Sequence, residues 1–463
     1  MPPPADQPSI AEPETGNRKR ETAALVAVVA ACVAVQLAYV LSSVPLRSAN
    51  DRSRWATVRA LVEDGSYVID RFQVGPNQRD KTWATIDLAR HDGHFYSTKP
   101  PVLPTLVARL LGGVTVVTGW TLAEDPVKAT RATLVLLNVV PMALALAAIA
   151  WIGRRTVGGV FGPVVAVLAS GVATMHLPFV ATLNNHTIAL WAAALTLAAT
   201  LRIETATCVR QQRLAAVVAG LLAMWTCCNE LPAAAFGLTV FGWLWSRQPR
   251  LAWGWFAPAA LVPLTFFFWT NYAATGGWKP LYMYYGTEKY EFDWNGRPSY
   301  WKQPQGIDRN LDSPATYALH CLVGHHGLFS LTPLLLAAAA GVFGLRRRNE
   351  AVANDSPERR WLRFWATAGA VLSVVVLGFF LTRTGNYNYG GVSVALRWML
   401  WLTPLWSLLL LVACDRFDAR WFRVVVIALA ALSIASATAS GPNPWQQNWL
   451  FDAMTEAGWI DYG

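Results

Sequence analysis

The sequence predicts an all-α polytopic membrane protein with about eleven transmembrane helices, and three observations carry this prediction. Hydrophobic residues make up 54% of the chain, its mean hydropathy is +0.32, and only 14% of its residues are charged. Soluble globular domains carry about 25% charged residues. Apolar runs of about 20 residues, the length that crosses a bilayer, recur along most of the sequence. The 23 tryptophans suit the interfacial belts of such proteins.

The N-terminal segment, residues 1–21, contains several Pro and Glu residues, and we expect a disordered cytoplasmic tail there. Arg18, Lys19 and Arg20 then precede an apolar run from Thr22 to Val44. The hydrophobic region of a cleaved signal peptide has about 7–15 residues. Because this run is longer, the sequence predicts a retained first span whose N-terminal end is cytoplasmic.

Ten further apolar runs predict the remaining spans. They cover residues 131–153, 158–178, 186–203, 213–229, 231–246, 251–274, 326–345, 361–383, 393–413 and 421–439. Five connections are basic, and the positive-inside rule places them in the cytoplasm. The run 102–119 is ambiguous, because a crossing there would move the basic connections outside. We expect it to lie in the outer interface as a helix, and a twelve-span protein is the alternative.

This topology divides the chain into the tail 1–21, a transmembrane domain 22–439 and an outer tail 440–463. Two long outer loops, 46–129 and 275–325, belong to the transmembrane domain. All seven histidines fall on or near the outer face. The chain has no Gly-rich phosphate loop and no alternating strand–helix pattern, so a cytoplasmic nucleotide-sugar domain is not expected. Any chemistry is therefore expected on the outer side.

The net charge of +10 and the six cysteines do not point to other protein classes. Basic cytoplasmic connections explain the positive charge without nucleic acid. The cysteines are scattered, and their spacing matches neither a zinc site nor a disulfide framework.

Asp51 follows the first span directly, in the stretch NDRSRWATVRALV. A carboxylate at the mouth of a span is desolvated, which raises its pKa and suits it to take a proton from a hydroxyl group. Arg54, three residues on, would share its helix face. In the other interpretation Asp51 caps an amphipathic helix, and the spacing leaves both open.

The segment DGHFYSTKPP, residues 92–101, lies in the same loop and concentrates titratable groups. Two prolines fix the backbone after Lys99, so this lysine is placed to meet a lipid-linked phosphate. A snorkelling lysine beside a proline helix start would have the same pattern. His91 and His94 are candidate ligands for a divalent metal such as zinc or manganese.

Two later segments contain candidates for sugar contacts. In TLNNHT, Asn185 and His186 can hydrogen-bond a sugar or phosphate, or serve only to begin a span. The second long loop is dense in aromatic residues, among them Tyr285 and Trp294. Aromatic rings stack on sugars, and they also anchor loops to a membrane surface without any ligand.

Two further segments contain candidate phosphate ligands. His325 and His326 lie at the outer end of a span and can bind phosphate, or a metal together with His91 or His94. Arg397 follows two glycines and lies about two turns inside its span. A charge at the bilayer centre costs about 2.5–3.5 kcal/mol, and less near a span end. We interpret Arg397 as directed at a cavity, where it holds a lipid phosphate.

The order of these motifs resembles the GT-C superfamily of membrane-embedded glycosyltransferases. The likeness is to the branch of bacterial aminoarabinose and mannosyl transferases and the RgtA/B/C/D-like domain, and covers residues 20–345 in layout. In that branch an acidic residue follows the first span in a D-x-x-R-[YW]-A context, here Asp51 to Ala56. A KPP segment follows in the same loop, here Lys99 to Pro101. Many members have an acidic pair at the first site, where this chain has Asn50 and Asp51.

The resemblance implies an enzyme that moves a sugar from a polyprenyl-phosphate donor to an acceptor hydroxyl, usually with inversion. It implies an integral protein of a bacterial-type inner (plasma) membrane with its site facing outward. The acceptor would be a glycan, lipid or protein, and no nucleic acid would bind.

The residue patterns above, taken together with the resemblance, suggest roles for individual residues. Asp51 would be the catalytic base, with Asp92 as the second candidate. The residues on the donor phosphate would be Arg54, Lys99, Arg397, His325 and His326. The residues on the sugar or acceptor would be Asn185, His186, Tyr285 and Trp294. A divalent metal stays open as a cofactor, with His91 and His94 as candidate ligands.

Two other function classes stay open at this stage. A glycan ligase or polymerase with a lipid-diphosphate donor would use the same outer cations. A transporter or flippase would place charges and broken helices near the bilayer midplane. Most ionisable residues here lie outside the spans or at their ends, which favours an enzyme.

Overall fold

The computed structural model describes residues 12–73, 82–346, 356–385 and 388–463, and it is an all-α polytopic fold with two short hairpins. The helices of the first half are α1 (Glu12–Ser42), α2 (Ala49–Glu63), α3 (Val102–Thr118), α4 (Pro126–Thr156), α5 (Phe161–Gly171), α6 (Asn185–Thr205), α7 (Val209–Asn229), α8 (Ala234–Arg247) and α9 (Pro249–Thr275). Those of the second half are α10 (Pro314–Leu322), α11 (Leu335–Arg346), α12 (Pro357–Leu381), α13 (Arg397–Arg416), α14 (Arg420–Ala439) and α15 (Trp449–Glu456).

Seven helices of the described residues are long and apolar enough to cross a membrane, namely α1, α4, α6, α9, α12, α13 and α14. The predicted number of eleven spans is not confirmed. Helix α5 ends after 11 residues, and the chain continues into a 3-10 turn at Leu177–Ala181. Helix α8 has 14 residues and α11 has 12, so both are shorter than a simple span. Helix α1 already begins at Glu12, inside the segment 1–21 predicted as a disordered tail.

Arginines cluster at one end of the helix bundle, which we name the basic end. There Arg154, at the end of α4, donates a hydrogen bond to Thr22 at the start of α1. Arg247, at the end of α8, lies 3.3 Å from Glu204 at the end of α6. Asp415, at the end of α13, accepts from the backbone N–H of Gly158 at 3.3 Å. These contacts show that alternate helix ends meet on one side.

The chain between α1 and α4 starts and finishes at the opposite end. Arg131, in the first turns of α4, donates two hydrogen bonds, of 3.1 and 2.6 Å, to the carbonyl of Ser43 just after α1. Helix α3 lies between these two points in sequence, so the chain is at the same end of the bundle before and after it.

Glycines allow several helices of the bundle to approach closely. A Cβ on Gly220 of α7 would overlap the carbonyl oxygen of Phe256 in α9, and one on Gly341 of α11 would overlap that of Leu409 in α13. Small residues at helix contacts are typical of membrane bundles, where packing replaces the hydrophobic effect. Helix α13 is almost fully enclosed by its neighbours.

The first outer loop folds against α2 and α3 through a hairpin of β1 (Leu88–His91) and β2 (His94–Ser97). Its turn residues Asp92 and Gly93 have φ values of +50° and +86°, as a tight hairpin turn requires. The Ser53 hydroxyl of α2 donates a hydrogen bond to the carbonyl of Asp87 at 2.8 Å. It forms a second hydrogen bond, of 2.7 Å, with the hydroxyl of Ser97. The hairpin is thereby attached to α2. A second hairpin, β3 (Asp293–Trp294) with β4 (Arg297–Pro298), lies in the second long loop.

Candidate functional site

A cavity of about 450 Å³ lies at the end of the bundle away from the basic end. It is lined by the first turns of α2, α6 and α13, the last residues of α7 and α12, and both long loops. Six charged side chains face it: Arg54, Asp87, Lys99, Glu230, Asp308 and Arg397. Aromatic residues form much of the remaining wall, including Tyr282, Tyr285, Tyr290, Tyr300, Trp301, Trp398 and Trp445.

Arg54 is held in the cavity wall by α2. Its guanidinium donates to the carbonyl of Asn50 at 3.2 Å and to the side-chain oxygen of Asn185 at 2.8 Å. Burial, together with the positive charge of Arg397, lowers the pKa of Arg54 to about 10. The side chain is therefore still charged at neutral pH although it is only 2% exposed. A desolvated cation of this kind is a strong binding group for an anion.

Lys99 is oriented by the residues on either side of its own segment. Its ammonium lies 2.9 Å from Asp87, whose other oxygen accepts from the Thr98 hydroxyl at 2.5 Å. Pro100 and Pro101 then lead into α3, with Pro101 as its N-cap residue. Burial lowers the pKa of Lys99 to about 8, although the negative charge of Asp87 opposes this shift. The lysine is thus charged at pH 7 and close to its titration range.

Arg397 enters the cavity at the start of α13. Its Nε donates to the carbonyl of Gly390 at 2.8 Å, and its Nη1 lies 3.3 Å from His186 Nε2. Gly390 has a φ of +93°, which favours glycine, and a Cβ there would lie 3.2 Å from the Arg397 side chain. The glycine therefore permits the arginine to fold back against its own loop.

Glu230 joins α6 to the junction of α7 and α8. Its carboxylate contacts the His186 ring and accepts from the Asn185 amide at 2.7 Å. Burial raises the pKa of Glu230 to about 8, against the lowering effect of Arg397 and Arg54. The N-terminus of α6 is fixed separately, because the Asn184 side chain accepts from the backbone N–H of Thr187 at 2.8 Å.

Asp308 enters the cavity from the second long loop. Its Oδ2 accepts from the Tyr300 hydroxyl at 2.7 Å. Burial raises the pKa of Asp308, and the hydrogen bond from Tyr300 and the charge of Arg397 work against this rise. Asp308 is therefore a carboxylate in a partly dry wall that also contains the aromatic rings of Tyr285 and Trp301.

Five of the residues predicted from the sequence line this cavity together: Arg54, Lys99, Arg397, Asn185 and His186. They come from four segments that lie far apart in the chain. Tyr285, predicted for sugar contacts, also lines it. Trp294 lies instead in a smaller neighbouring cavity of about 90 Å³, beside Phe95 and Phe292.

The two predicted catalytic carboxylates are not among the lining residues. Asp51 is 2% exposed, and its oxygens accept from the backbone N–H groups of Leu46 at 2.8 Å and Leu183 at 3.3 Å. Burial raises the pKa of Asp51 to about 6. The Asp92 side chain is 83% exposed, at the tip of the first hairpin. Asp51 thus bridges two loops beside the cavity, and Asp92 faces away from the described walls.

His325 and His326 form a buried cluster outside the cavity. His325 Nδ1 lies 2.5 Å from His326 Nδ1, and His325 Nε2 lies 2.8 Å from the Tyr462 hydroxyl. His326 Nε2 donates to the carbonyl of Ser393 at 2.7 Å. Burial lowers the pKa of His325 to about 2 and that of His326 to about 4. Both rings are neutral at pH 7, so they contribute no positive charge.

His91 and His94, the residues suggested for a metal, both have protein partners in the structure. His91 Nε2 lies 2.8 Å from the carbonyl oxygen of Thr275, and His91 Nδ1 lies 2.6 Å from the ammonium of Lys289. His94 Nδ1 lies 2.7 Å from a carboxylate oxygen of Asp70. Within the described ranges, no group of three or more His, Cys, Asp or Glu residues is arranged to hold a metal ion.

Many lining residues were not assigned a catalytic or binding role from the sequence, and Glu230, Asp308 and Trp445 are examples. In the sequence, Glu230 lies in a hairpin that is too short to bury its carboxylate. This position suits a helix cap as well as a cavity wall. Asp308 stands in a polar loop where nothing nearby distinguishes it. Trp445 is one of 23 tryptophans and lies in the tail. Only the folded chain brings these residues to the cavity.

No protein-family model and no curated protein matches this sequence. The structure is similar to that of the oligosaccharyltransferase of Archaeoglobus fulgidus in its apo form, with a TM-score of 0.49 and 12% identity over 93% of this chain and 57% of that one. A structure of the archaeal oligosaccharyltransferase AglB with an inhibitory peptide and a dolichol-phosphate has a TM-score of 0.46 at 12% identity, again over 93% and 57%. A complex of the Archaeoglobus fulgidus oligosaccharyltransferase with Zn and sulfate has a TM-score of 0.40 at 14% identity, over 93% of this chain and 55% of that one.

Proposed function

We propose that this protein is a GT-C-type membrane glycosyltransferase. It transfers a sugar from a polyprenyl-phosphate donor to the hydroxyl group of an acceptor. The observation that carries the proposal is the convergence of three cations, Arg54, Lys99 and Arg397, with carboxylates in one cavity. Side chains from distant segments that carry opposite charges at a shared cavity are typical of active sites.

The cations suit the departing phosphate of the donor. When the bond between the anomeric carbon and the phosphate oxygen breaks, that oxygen gains negative charge. Arg54, Lys99 and Arg397 stabilise it there, and they do so strongly because the site is largely removed from water. They are already oriented by protein partners, so little reorganisation is required at the moment of reaction.

The base in this proposal is Asp308. It lines the cavity, its burial raises its pKa, and it lies on the wall that carries Tyr285, Tyr300 and Trp301. An acceptor bound against these aromatic rings loses its hydroxyl proton to Asp308 as its oxygen attacks the anomeric carbon. The attack takes place on the face of the anomeric carbon opposite the departing phosphate, which gives inversion, and the cations hold the phosphate that leaves. Asp51 then holds the loops that position Arg54, because both its oxygens accept backbone hydrogen bonds.

The apolar part of the same cavity suits the isoprenoid tail. Cys228, Leu231, Phe379, Phe380 and Val392 line it close to the charged residues. A lipid phosphate has one charged end and one apolar end, and this wall has both kinds of surface. A soluble nucleotide sugar has no apolar tail that would cover this part of the wall.

We place the cavity on the outer side of a bacterial-type inner membrane. Support comes from the arginines at the basic end of the bundle, because loops rich in Lys and Arg face the cytoplasm. The cavity lies at the other end. A donor flipped to the outer leaflet reaches it from the membrane, and a glycan, lipid or protein acceptor reaches it from outside.

The test is turnover by the purified full-length protein in lipid nanodiscs. It is given polyprenyl-monophosphate sugars, the matching polyprenyl-diphosphate sugars and a mixture of acceptors, and release of the lipid phosphate is measured. Release from the monophosphate donors alone supports the proposal. Release from diphosphate donors alone identifies a glycan ligase or polymerase, and no release from either class, with the lipid itself moved across the membrane, identifies a flippase.

A further inference from the structure

Trp445 reaches the cavity from the C-terminal segment that follows α14. Two anchors hold this segment in place. The backbone N–H of Val394 donates to the carbonyl of Pro444 at 3.0 Å. The Asn448 side chain donates to the carbonyls of His325 at 2.7 Å and Val394 at 3.2 Å. The segment is thereby attached to the loop that precedes Arg397, and its tryptophan becomes part of the cavity wall.

The indole ring of Trp445 contacts both guanidinium groups of the site. The guanidinium carbon of Arg397 lies 5.2 Å from the ring centroid, and that of Arg54 lies 6.0 Å from it. The edge of Phe179 packs on the ring at 5.6 Å between centroids. Two like charges repel each other, and an aromatic ring that lies near both of them attracts each one. Trp445 therefore holds the two arginines around one position.

The indole nitrogen at this position has no partner among the described residues. Trp445 is 8% exposed, and its Nε1–H is buried without a hydrogen bond. The indole N–H is a donor only, and a buried donor without an acceptor is costly. Here the unsatisfied donor lies on a ring that lines a cavity with three cations. An anion bound beside this ring would supply the acceptor that the described residues do not.

We infer that the indole N–H of Trp445 is a direct ligand of the donor phosphate, between the guanidinium groups of Arg54 and Arg397. The inference rests on the proposed function and extends it, because it makes the C-terminal segment a part of the donor site. The ring has a second role, because it attracts the guanidinium groups of both arginines. Trp→Phe separates these roles, since phenylalanine keeps an aromatic face and loses the donor.

Affinity for farnesyl monophosphate tests the inference, with farnesol as the uncharged control ligand. The variants are W445F and W449F in the full-length protein. Trp449 is the matched control, because its Nε1 donates to Ser436 at 2.9 Å and it is not a cavity residue. We expect W445F to bind farnesyl monophosphate about tenfold more weakly, with unchanged affinity for farnesol. W449F should bind both ligands as the wild type does.

Wild-type affinity of W445F for farnesyl monophosphate would overturn the inference and leave the proposed function intact. A wild-type protein that binds farnesol as tightly as farnesyl monophosphate would overturn both. If W445F does not fold, the structure of the wild-type protein with farnesyl monophosphate decides. We then expect a distance of about 3 Å from Nε1 to a phosphate oxygen, and more than about 4 Å would contradict the inference.

Discussion

The ammonium of Lys99 lies 2.9 Å from the carboxylate of Asp87 in the wall of the charged cavity. This contact explains how a lysine that is largely removed from water remains a cation. Burial lowers its pKa to about 8, and the negative charge of Asp87 limits this decrease. Lys99 is therefore the cation of the site whose charge responds most readily to pH, because Arg54 and Arg397 are guanidinium groups.

Phosphate affinity should consequently decrease as pH rises through about 8, where Lys99 loses its proton. We expect Asp87→Asn to move this decrease to lower pH, because it removes the charge that supports the protonated lysine. Lys99→Arg should make this decrease smaller, since arginine stays charged there. The part of the decrease that remains comes from Glu230, a carboxylate of the same cavity whose pKa is also about 8. Calorimetric titration with farnesyl monophosphate over this range measures both effects. Identical pH profiles for the wild type and Asp87→Asn would contradict the role of the pair.

Glu230 predicts a pH-dependent effect on stability. Its pKa is raised by burial to about 8, above the value of about 4.3 of an unfolded glutamate. Such a group stabilises the fold below the unfolded pKa, and this contribution is lost as pH rises through the folded pKa. Glu230→Gln removes the group, so the variant should gain melting temperature relative to the wild type between pH 5 and about 8.5. A constant difference across that range would show that Glu230 does not titrate in this way.

The assignment of the base is tested by comparing two carboxylates. Asp308→Asn should reduce transfer by about 10²-fold or more while donor affinity stays within about twofold, because general-base catalysis contributes 10²–10⁴-fold. Asp51→Asn should mainly lower the melting temperature, because its carboxylate accepts two backbone hydrogen bonds. Turnover, affinity and thermal unfolding are measured on both variants. If Asp51→Asn abolishes turnover in a protein of normal stability and Asp308→Asn does not, the roles are exchanged.

Tyr300 offers a finer test of the same carboxylate. Its hydroxyl donates to Asp308, and this hydrogen bond lowers the pKa of the carboxylate. Tyr300→Phe should therefore raise that pKa and move the acidic limb of the pH profile of kcat/KM to higher pH. A variant with reduced turnover but an unshifted limb would show that Tyr300 acts on the reaction by another route.

The glycine contacts predict which small residues the bundle requires. Gly341→Ala should destabilise the protein by about 1–3 kcal/mol, because the new methyl group meets the backbone of Leu409. Gly242→Ala in α8 is the control, since no atom lies within 4 Å of the position that its methyl group would occupy. That change should be neutral or should stabilise the helix by up to about 1 kcal/mol. Thermal unfolding in detergent compares the two, and equal melting temperatures would contradict close packing at Gly341.

The sequence predicts the fold class because apolar length and basic connections are local properties. It also identifies the three cations, since each stands beside a feature that restricts the backbone or a span: Arg54 after the first span, Lys99 before two prolines, and Arg397 after two glycines. The number of spans is harder to predict, because short and broken helices such as α5 and α11 bury apolar residues without spanning a membrane in a single helix.

Asp51 and Asp308 show which properties of a carboxylate the local sequence does not predict. A raised pKa for Asp51 follows from its place at the end of a span, and the structure has this shift. Its orientation does not follow, because one of its partners is the backbone of Leu183 in a distant loop. Asp308 and Trp445 reach the cavity only through tertiary packing. Their neighbours in sequence carry no periodicity or motif that would single them out.

The central claim is that Arg54, Lys99 and Arg397 form one site for the phosphate of a membrane lipid. Its most direct test is the affinity of the full-length protein for a polyprenyl monophosphate and for the corresponding polyprenol. We expect Arg54→Gln, Lys99→Gln and Arg397→Gln each to weaken phosphate binding at least tenfold, about 1.4 kcal/mol or more, and to leave polyprenol binding unchanged. Arg109→Gln, on the exposed surface of α3, should bind both lipids normally. If the three cavity variants retain wild-type phosphate affinity, or if Arg109→Gln loses as much as they do, the claim is contradicted.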